Sequence, residues 1–449
     1  MLNCIVDITS FWFLVYIIGL FIKKCVERPI MMNDDVMLDV KDRYNDLLNT
    51  HPIVKDELNE NKFKENREFS LINTIFRNTK STIMSSIKMF ILLFGIAPMA
   101  LYFMNTWGVT ADWYLWVKLS CMSVVWSFIL MVIDIPFDWY SDKINKKFGY
   151  SNLTLHVYIS DFIKSFLVNS VLTTAVLGIA YGLLSVIQSY GPMNYKTGII
   201  FFAVSVVLSI VVDTIYSQII MPLFNKYTPV EDGELKDKMK VLVEKYGYKF
   251  DNVYIVNESL RTNFGNAYCM SIPFGPKKIV IYDTLLKQLT TDEIVGIFAH
   301  EFAHKKFYHN QINYAMMFVG GFIKLMFVIG VMYNIDLYHA FGFNMITLDN
   351  VMQYSIIGIN LGLIIFEAFS WIIDPFTAWI SRKMEYAADK YGAIYCGNIE
   401  AMITGLIKIH TKSGDVGVHT DSYEGYFCGH PSLTNRIKAL NDIKEMIQD

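Results

Sequence analysis

Residues 197–221 read TGIIFFAVSVVLSIVVDTIYSQIIM and contain a single charged residue, Asp213. An apolar run of this length matches the ~20 residues that an α-helix needs to cross a lipid bilayer. The rest of the 449-residue chain has the same character, because 53% of its residues are hydrophobic and only 18% are charged. The sequence therefore predicts a protein built on several membrane-spanning helices rather than a set of soluble domains.

Seven apolar runs are long enough to be candidate spans. The first run has no basic region before it and no small-residue cleavage site after it, so we interpret it as a retained span and not as a signal peptide. We therefore expect an all-α membrane protein with seven transmembrane helices. The candidate spans lie at 5–22, 87–107, 113–134, 165–188, 197–221, 312–335 and 351–373.

The distribution of Lys and Arg predicts how these spans are oriented. The polar segment 23–81 contains eleven Lys or Arg residues, and the turn 138–164 also contains Lys143, Lys146 and Lys147. The turns 108–112 and 336–350, which would lie on the opposite side, contain none, and Lys196 is the only residue that argues against this pattern. Since basic loops tend to stay in the cytoplasm, segment 23–81 should be cytoplasmic and the N-terminus lumenal.

Several ionisable residues lie in or beside the candidate spans, where contact with lipid would be costly. They either pair with one another and reach the helix ends, or they face a water-filled interior, which a transporter would also have. The formal net charge of −3 gives no basic surplus, so nucleic acid is disfavoured as a partner. The residues in question are Asp7, Lys118, Asp134, Asp213, Lys324, Glu367 and Asp374.

The segment between the fifth and sixth spans is polar enough to lie outside the membrane. Residues 233–246 show helical periodicity, while 253–256, 267–272 and 278–282 are short β-prone runs bounded by Asn, Gly and Pro. We expect a small cytoplasmic α/β portion here.

The spans divide the chain into four parts. The first holds five transmembrane helices and the cytoplasmic loop 23–81, and the second is the cytoplasmic segment with the strands. The third holds two transmembrane helices, and the fourth is a C-terminal cytoplasmic segment. Their limits are 1–226, 227–311, 312–380 and 381–449.

Residues 300–304 read HEFAH and form an HExxH motif. Residues four apart share one face of a helix, so His300 and His304 can reach one metal ion. Glu301 lies one position round the helix, where its carboxylate can take the proton of an attacking water. The alternative is an amphipathic helix that carries His and Glu on a solvated face without a metal.

A third ligand is available in the run 381–389, SRKMEYAAD. Glu385 can complete the metal site, and Asp389, one turn later, can orient a ligating His through its other ring nitrogen. Acidic pairs at this spacing also occur as ordinary surface residues. The predicted topology favours the metal site, because two crossings between His304 and Glu385 return the chain to the same cytoplasmic side.

Two His and one carboxylate leave a fourth position open, which is the arrangement of a catalytic zinc site. Iron bound by two His and one carboxylate is the competing metal, but an adjacent Glu base favours hydrolysis over oxygen chemistry. We therefore expect one Zn²⁺ per chain and peptide-bond hydrolysis.

The motifs HEFAH, SRKMEYAAD and GHPSLTNR (429–436) together resemble those of the type 1 CAAX prenyl proteases. The resemblance extends over nearly the whole chain. It implies an endoplasmic reticulum membrane protein whose seven helices enclose a large chamber. It also implies that isoprenylated CAAX proteins or peptides lose their last three residues, and some members cut a second time upstream.

The same resemblance implies roles for further residues. Asn266, Ala267 and Tyr268 would align the substrate as an added strand. His430 would stabilise the developing oxyanion, and Arg436 would hold the terminal carboxylate of the substrate.

His309 also fits the family pattern, but we interpret it as a helix-surface residue. Two alternatives to the whole assignment stay open at this point. One is an HtpX-like quality-control protease for membrane proteins, and the other is a multi-span carrier without enzymatic activity.

Overall fold

The computed structural model describes residues 10–36, 40–271 and 277–448. Helices predominate throughout the described residues. The N-terminal part contains α1 (Phe11–Val36), α2 (Val40–Leu48), α3 (Pro52–Glu57), α4 (Glu60–Leu93), α5 (Ile96–Thr106), α6 (Leu115–Lys147), α7 (Leu155–Gln188), α8 (Tyr195–Ile215) and α9 (Met221–Phe224), with a π-helical turn at Tyr216–Ile220 between the last two.

The C-terminal part combines four short strands with ten helices among the described residues. The strands are β1 (Tyr227–Pro229), β2 (Val253–Val256), β3 (Ala267–Ser271) and β4 (Lys277–Tyr282). The helices are α10 (Glu234–Lys245), α11 (Asp283–Gln288), α12 (Thr291–Lys306), α13 (His309–Val331), α14 (Ile335–Ala340), α15 (Ser355–Glu367), α16 (Asp374–Cys396), α17 (Ile399–Lys412), α18 (Asp421–Phe427) and α19 (Leu433–Gln448).

Four helices of the described chain are long and apolar enough to cross a membrane, and α4 with α5 adds a fifth if this pair, bent by 44°, is one span. All five coincide with predicted spans. The four helices are Leu115–Lys147, Leu155–Gln188, Tyr195–Phe224 and His309–Val331.

The first and last predicted spans differ from these five. Residues 5–9 lie outside the described residues, and α1 continues past the apolar run as far as Val36. The run 351–373 contains only the 13-residue helix α15, which is about 20 Å long and too short to cross a ~30 Å hydrocarbon core by itself. Its apolar residues Ile356, Leu361 and Ile365 are buried against other helices.

Charged residues in the spans find partners inside the protein. Lys118 is buried and donates to Asn105 Oδ1 and to the carbonyl of Ala111, both at 2.8 Å. Asp134 lies 3.0 Å from Lys80 Nζ. Lys324 lies 3.8 Å from Glu367, and Tyr314 is hydrogen-bonded to Asp213. Asp7 falls outside the described residues.

The four strands form one sheet in the order β1–β2–β4–β3. β2 and β4 are parallel, whereas β1 and β3 are antiparallel to their neighbours. The predicted runs 253–256, 267–272 and 278–282 correspond to β2, β3 and β4, and helix 233–246 to α10. β3 lies at one edge of the sheet and has β4 as its strand partner among the described residues.

The main hydrophobic core lies between this sheet and the C-terminal helices. Phe298 and Phe302 on α12 are almost completely buried, as are Ile279 on β4 and Met402 on α17. Helix α12 is therefore surrounded on all sides, and it occupies the centre of the C-terminal part. A motif on this helix is held by packing from the sheet and from α16 and α17.

Candidate active site

Helix α12 carries the HExxH motif in its last two turns and has a well-defined start. Thr290 caps the helix, since its Oγ1 accepts from the Glu293 N–H at 3.4 Å, and Glu293 Oε2 accepts from the Thr290 N–H at 2.8 Å. This reciprocal pair is a capping box. Lys408 on α17 lies 2.6 Å from the other Glu293 oxygen and joins the start of α12 to the core.

The side chains of His300, His304 and Glu385 converge on one point. The two His Nε2 atoms are 3.1 Å apart. Glu385 Oε2 lies 3.5 Å from His300 Nε2, and Oε1 lies 3.3 Å from His304 Nε2. Tetrahedral zinc with bonds of about 2.0–2.1 Å separates its ligand atoms by about 3.3 Å, so these spacings fit a zinc ion.

Glu385 gives a second indication that a cation belongs here. No hydrogen bond of regular geometry reaches its buried Oε2 in the described part of the protein, although His430 Nδ1 lies 2.9 Å away. Burial of the carboxyl favours the neutral form, but contacts with His300 and His304 outweigh it and hold the pKa of Glu385 well below its usual range. A buried, ionised oxygen without a well-directed donor is typical of a metal ligand when only the protein atoms are considered.

Asp389 lies against the second ring nitrogen of His300. Its Oδ1 lies 2.9 Å from His300 Nδ1, which leaves Nε2 directed at the cluster. Arg436 forms a fork on the same carboxylate, with Nε 2.8 Å from Oδ2 and Nη2 2.6 Å from Oδ1. Burial opposes ionisation of Asp389, but Arg436 lowers the pKa of this carboxyl below its usual value.

The position of Arg436 differs from what a substrate-binding residue would need. The side chain is buried, and its two identified hydrogen bonds go to Asp389. Its Nη2 also lies 3.9 Å from Glu385 Oε2. The structure therefore directs Arg436 at Asp389, and a contact between Arg436 and a substrate carboxylate stays a prediction.

His309 is not a helix-surface residue, and that interpretation was wrong. It is buried, and its Nδ1 lies 2.8 Å from His304 Nδ1. A neutral His309 ring can accept the Nδ1 proton of His304 across this distance. That hydrogen bond directs His304 Nε2 to the cluster.

Sequence spacing could not have identified this contact. Helix α12 ends at Lys306, and Tyr308 adopts the left-handed conformation with φ of 60° before α13 begins. The helix is interrupted there, so helical spacing does not relate His304 to His309.

The loop between α18 and α19 brings His430 to the cluster. Its Nδ1 lies 2.9 Å from Glu385 Oε2, and 70% of its side chain is exposed. Arg382 on α16 fixes the loop by donating to the carbonyls of Glu424 and Cys428, at 2.8 and 2.7 Å. An exposed imidazole beside the metal-directed carboxylate is accessible to a substrate.

Glu301 points towards the edge strand of the sheet. Burial raises the pKa of Glu301, while the neighbouring His300 and His304 oppose that rise. The carboxylate also accepts a hydrogen bond from the backbone N–H of Cys269 on β3. The HExxH glutamate and the predicted substrate strand are therefore in direct contact.

The three residues predicted to align the substrate lie at the start of β3. Asn266 Oδ1 accepts from the Ala267 N–H at 2.9 Å, so the side chain braces the strand. Tyr268 faces Tyr282, with ring centroids 6.2 Å apart and perpendicular planes. A role in substrate binding stays a prediction for Asn266, Ala267 and Tyr268.

A close helix contact sets the distance between the two halves of the cluster. A Cβ atom at Gly392 of α16 would lie 2.9 Å from both Cα and N of His300. The two helices thus touch backbone to backbone at this position. Glu385 and Asp389 lie on the same face of α16, two turns and one turn earlier.

Comparison with known proteins identifies the family of the chain. The family described as CAAX prenyl protease N-terminal, five membrane helices, matches residues 44–226, and Peptidase family M48 matches residues 229–444. A Dictyostelium discoideum CAAX prenyl protease 1 homolog is 30% identical over 395 residues, which cover 86% of this chain and 88% of that protein. The chain belongs to the type 1 CAAX prenyl protease family.

Other family members are similar over the same length. CAAX prenyl protease 1 of Saccharomyces cerevisiae is 27% identical over 421 residues, covering 88% of this chain and 89% of that protein. The crystal structure of S. mikatae Ste24p superposes with a TM-score of 0.80 at 25% identity, covering 96% of this chain and 99% of the other. The predicted resemblance is confirmed, and this CAAX prenyl protease family member is a multi-span membrane metalloprotease.

Proposed function

We propose that this protein is a zinc endopeptidase that removes the last three residues from isoprenylated CAAX proteins or peptides. The observation that carries the proposal is the convergence of His300, His304 and Glu385 beside Glu301, with Glu301 touching the edge strand β3. The relatives are named for CAAX prenyl protein cleavage, which supplies the substrate class.

His300, His304 and Glu385 would hold the zinc, which polarises the scissile carbonyl and the attacking water when bound. Glu301 accepts the proton of that water, and burial makes its carboxylate a stronger base by raising its pKa. The same carboxyl then delivers the proton to the leaving amine. His430, exposed at the cluster, donates to the oxyanion that forms on the substrate carbonyl.

The membrane part determines how a lipid-modified substrate reaches this site. In our proposal seven helices enclose a large chamber in the endoplasmic reticulum membrane, with the N-terminus lumenal and the site and C-terminus cytoplasmic. Between 6% and 17% of the residues in the apolar windows of the four long spans are buried, which leaves helix faces open to lipid or to a chamber. An isoprenoid could lie between such helices while the peptide reaches Glu301.

Replacement of the base tests the proposed chemistry. We expect Glu301→Gln to release no peptide from an isoprenylated CAAX substrate while retaining one zinc per chain, because all three ligands remain. Zinc content and product masses are measured on the same purified sample. Glu244→Gln, on an exposed face of α10, should behave like the wild type. Full activity of Glu301→Gln would contradict the proposed role.

A further inference from the structure

The pairing register of β3 determines which of its backbone groups face the active site. The Tyr282 N–H donates to the carbonyl of Asn266 at 2.9 Å, and Tyr268 lies opposite Val280. Hydrogen-bonded and non-hydrogen-bonded pairs alternate in an antiparallel ladder. Tyr268 therefore uses its backbone groups on β4, whereas Ala267 and Cys269 direct theirs to the free edge.

Both free-edge groups of Cys269 are already bound. Its N–H donates to the Glu301 carboxylate, and its carbonyl accepts from Asn310 Nδ2 at 2.9 Å. Asn310 is the second residue of α13 and follows His309 directly. Cys269 is thus held between the HExxH helix and the start of the next helix.

Ala267 differs from Cys269 in its backbone carbonyl. Its N–H is bound by Asn266 Oδ1, and its carbonyl faces the free edge, at a position that β4 does not use. A peptide that adds to β3 can bind this carbonyl, but at Cys269 it meets an acceptor that is occupied. The usable edge therefore ends at the residue that contacts the catalytic base.

We propose that Asn310 fixes the register of the bound peptide and thereby selects the bond that is cleaved. The inference rests on the proposed function and adds a positioning residue to it. Outward-facing groups of a strand recur every second residue, so a peptide can slide only in steps of two. By binding the Cys269 carbonyl, Asn310 competes with the peptide N–H for the acceptor that the shifted register would need.

The test replaces the donor with a side chain of similar size. Wild type, Asn310→Leu and Asn313→Leu are incubated with a farnesylated CAAX peptide, and the released fragments are identified by mass. We expect Asn310→Leu to release, besides the usual fragment, one that differs from it by two residues. Its share should rise about five- to tenfold over wild type, the scale of one net hydrogen bond.

Asn313→Leu is the matched control, because Asn313 is exposed one turn further along α13. It should give the wild-type products. A merely structural role for Asn310 would change the rate of cleavage but not its position. Cleavage by Asn310→Leu at the original bond alone would overturn the proposal and leave the proposed function intact.

Asn310→Ala and Asn310→Asp, which also lack the donor at this position, are assayed beside Asn310→Leu. The proposal is equally overturned if all three fail to cleave, with or without bound zinc, since removing a register stop does not abolish hydrolysis. A wild-type protein that leaves the farnesylated peptide intact would instead refute the proposed function.

Discussion

Each metal-directed side chain has one partner that decides which of its atoms points into the cluster. Asp389 binds Nδ1 of His300, His309 lies against Nδ1 of His304, and His430 lies beside Glu385. Such partners fix the orientation of the ring and raise ligand basicity. The site therefore depends on residues that never touch the metal.

Asp389→Asn tests this dependence. The amide keeps the shape of the side chain but loses the charge that holds His300 and Arg436, so we expect zinc affinity to fall about 10- to 100-fold. Competition with a chelator measures the affinity on folded, monodisperse protein. Asp46→Asn, at an exposed pair with Lys438, should keep wild-type affinity. Equal zinc affinities for the two variants would contradict a role for Asp389 in supporting the metal site.

At the residue scale, the sequence predicted what local spacing can encode. A spacing of four residues places His300 and His304 on one helix face. The same spacing in the run 381–389 pointed to Glu385 and Asp389. His309 and Asn310 were missed because they lie beyond a left-handed turn, where helical spacing no longer applies. The direction of the Arg436 side chain depends on how α19 packs on α16. The sequence pattern of one helix does not predict such packing.

At the scale of elements, the decisive feature is the contact of α12 with α16. Gly392 allows the backbones to touch at His300, and Gly296 allows an equally close approach of α17, where an added Cβ would lie 2.9 Å from Met402 Cα. These contacts place the carboxylates of α16 over the HExxH motif. A larger residue at either glycine would have to displace a backbone.

We expect Gly392→Ala to separate the two helices and weaken the site. The added methyl group meets the backbone of His300, which cannot rotate away, and overpacking of this kind costs about 1–3 kcal/mol. Zinc affinity and peptide cleavage should each fall by about 5- to 150-fold if the metal site takes up this strain.

Gly182→Ala provides the comparison, since an added Cβ on α7 would have no atom within 4 Å. This variant should retain zinc and activity. The thermal unfolding of both variants is followed alongside chelator competition. Wild-type zinc affinity in Gly392→Ala would contradict the close-contact argument.

The elements were predicted unevenly for physical reasons. β2, β3 and β4 were found because turn residues bound each of them, whereas the three-residue strand β1 is too short to show alternation. The run 351–373 was predicted as a single spanning helix, but the structure divides it into α15 and the turn at Ser370–Ile372, because hydropathy does not report where a helix breaks. Helix α15 is apolar because it packs on α13 and its neighbours.

For the whole molecule, the chain must return to one side of the membrane between His304 and Glu385. Helix α13 makes one crossing by length and composition. In the proposed topology the second crossing would use α15, the turn at Ser370–Ile372 and the start of α16 together. The sequence predicted the return from the two apolar runs between these residues, 312–335 and 351–373, but hydropathy does not report the shape of each crossing.

Thiol labelling tests this arrangement. Tyr190→Cys, between α7 and α8, and Lys249→Cys, after α10, are placed in a background without the six native cysteines. In sealed microsomes an impermeant reagent should label position 249, and it should label position 190 only after permeabilisation. Labelling of both positions in intact vesicles would refute the proposed topology.

The most direct test of the central claim uses the intact enzyme and two matched peptides. Purified protein is offered one CAAX sequence with and without the isoprenoid, and the cleaved bond is identified by mass. We expect loss of the last three residues from the isoprenylated peptide alone, abolished by chelation and restored by zinc. Faster cleavage of the unmodified peptide, or of an unprenylated membrane protein, would contradict the assignment and favour a quality-control protease.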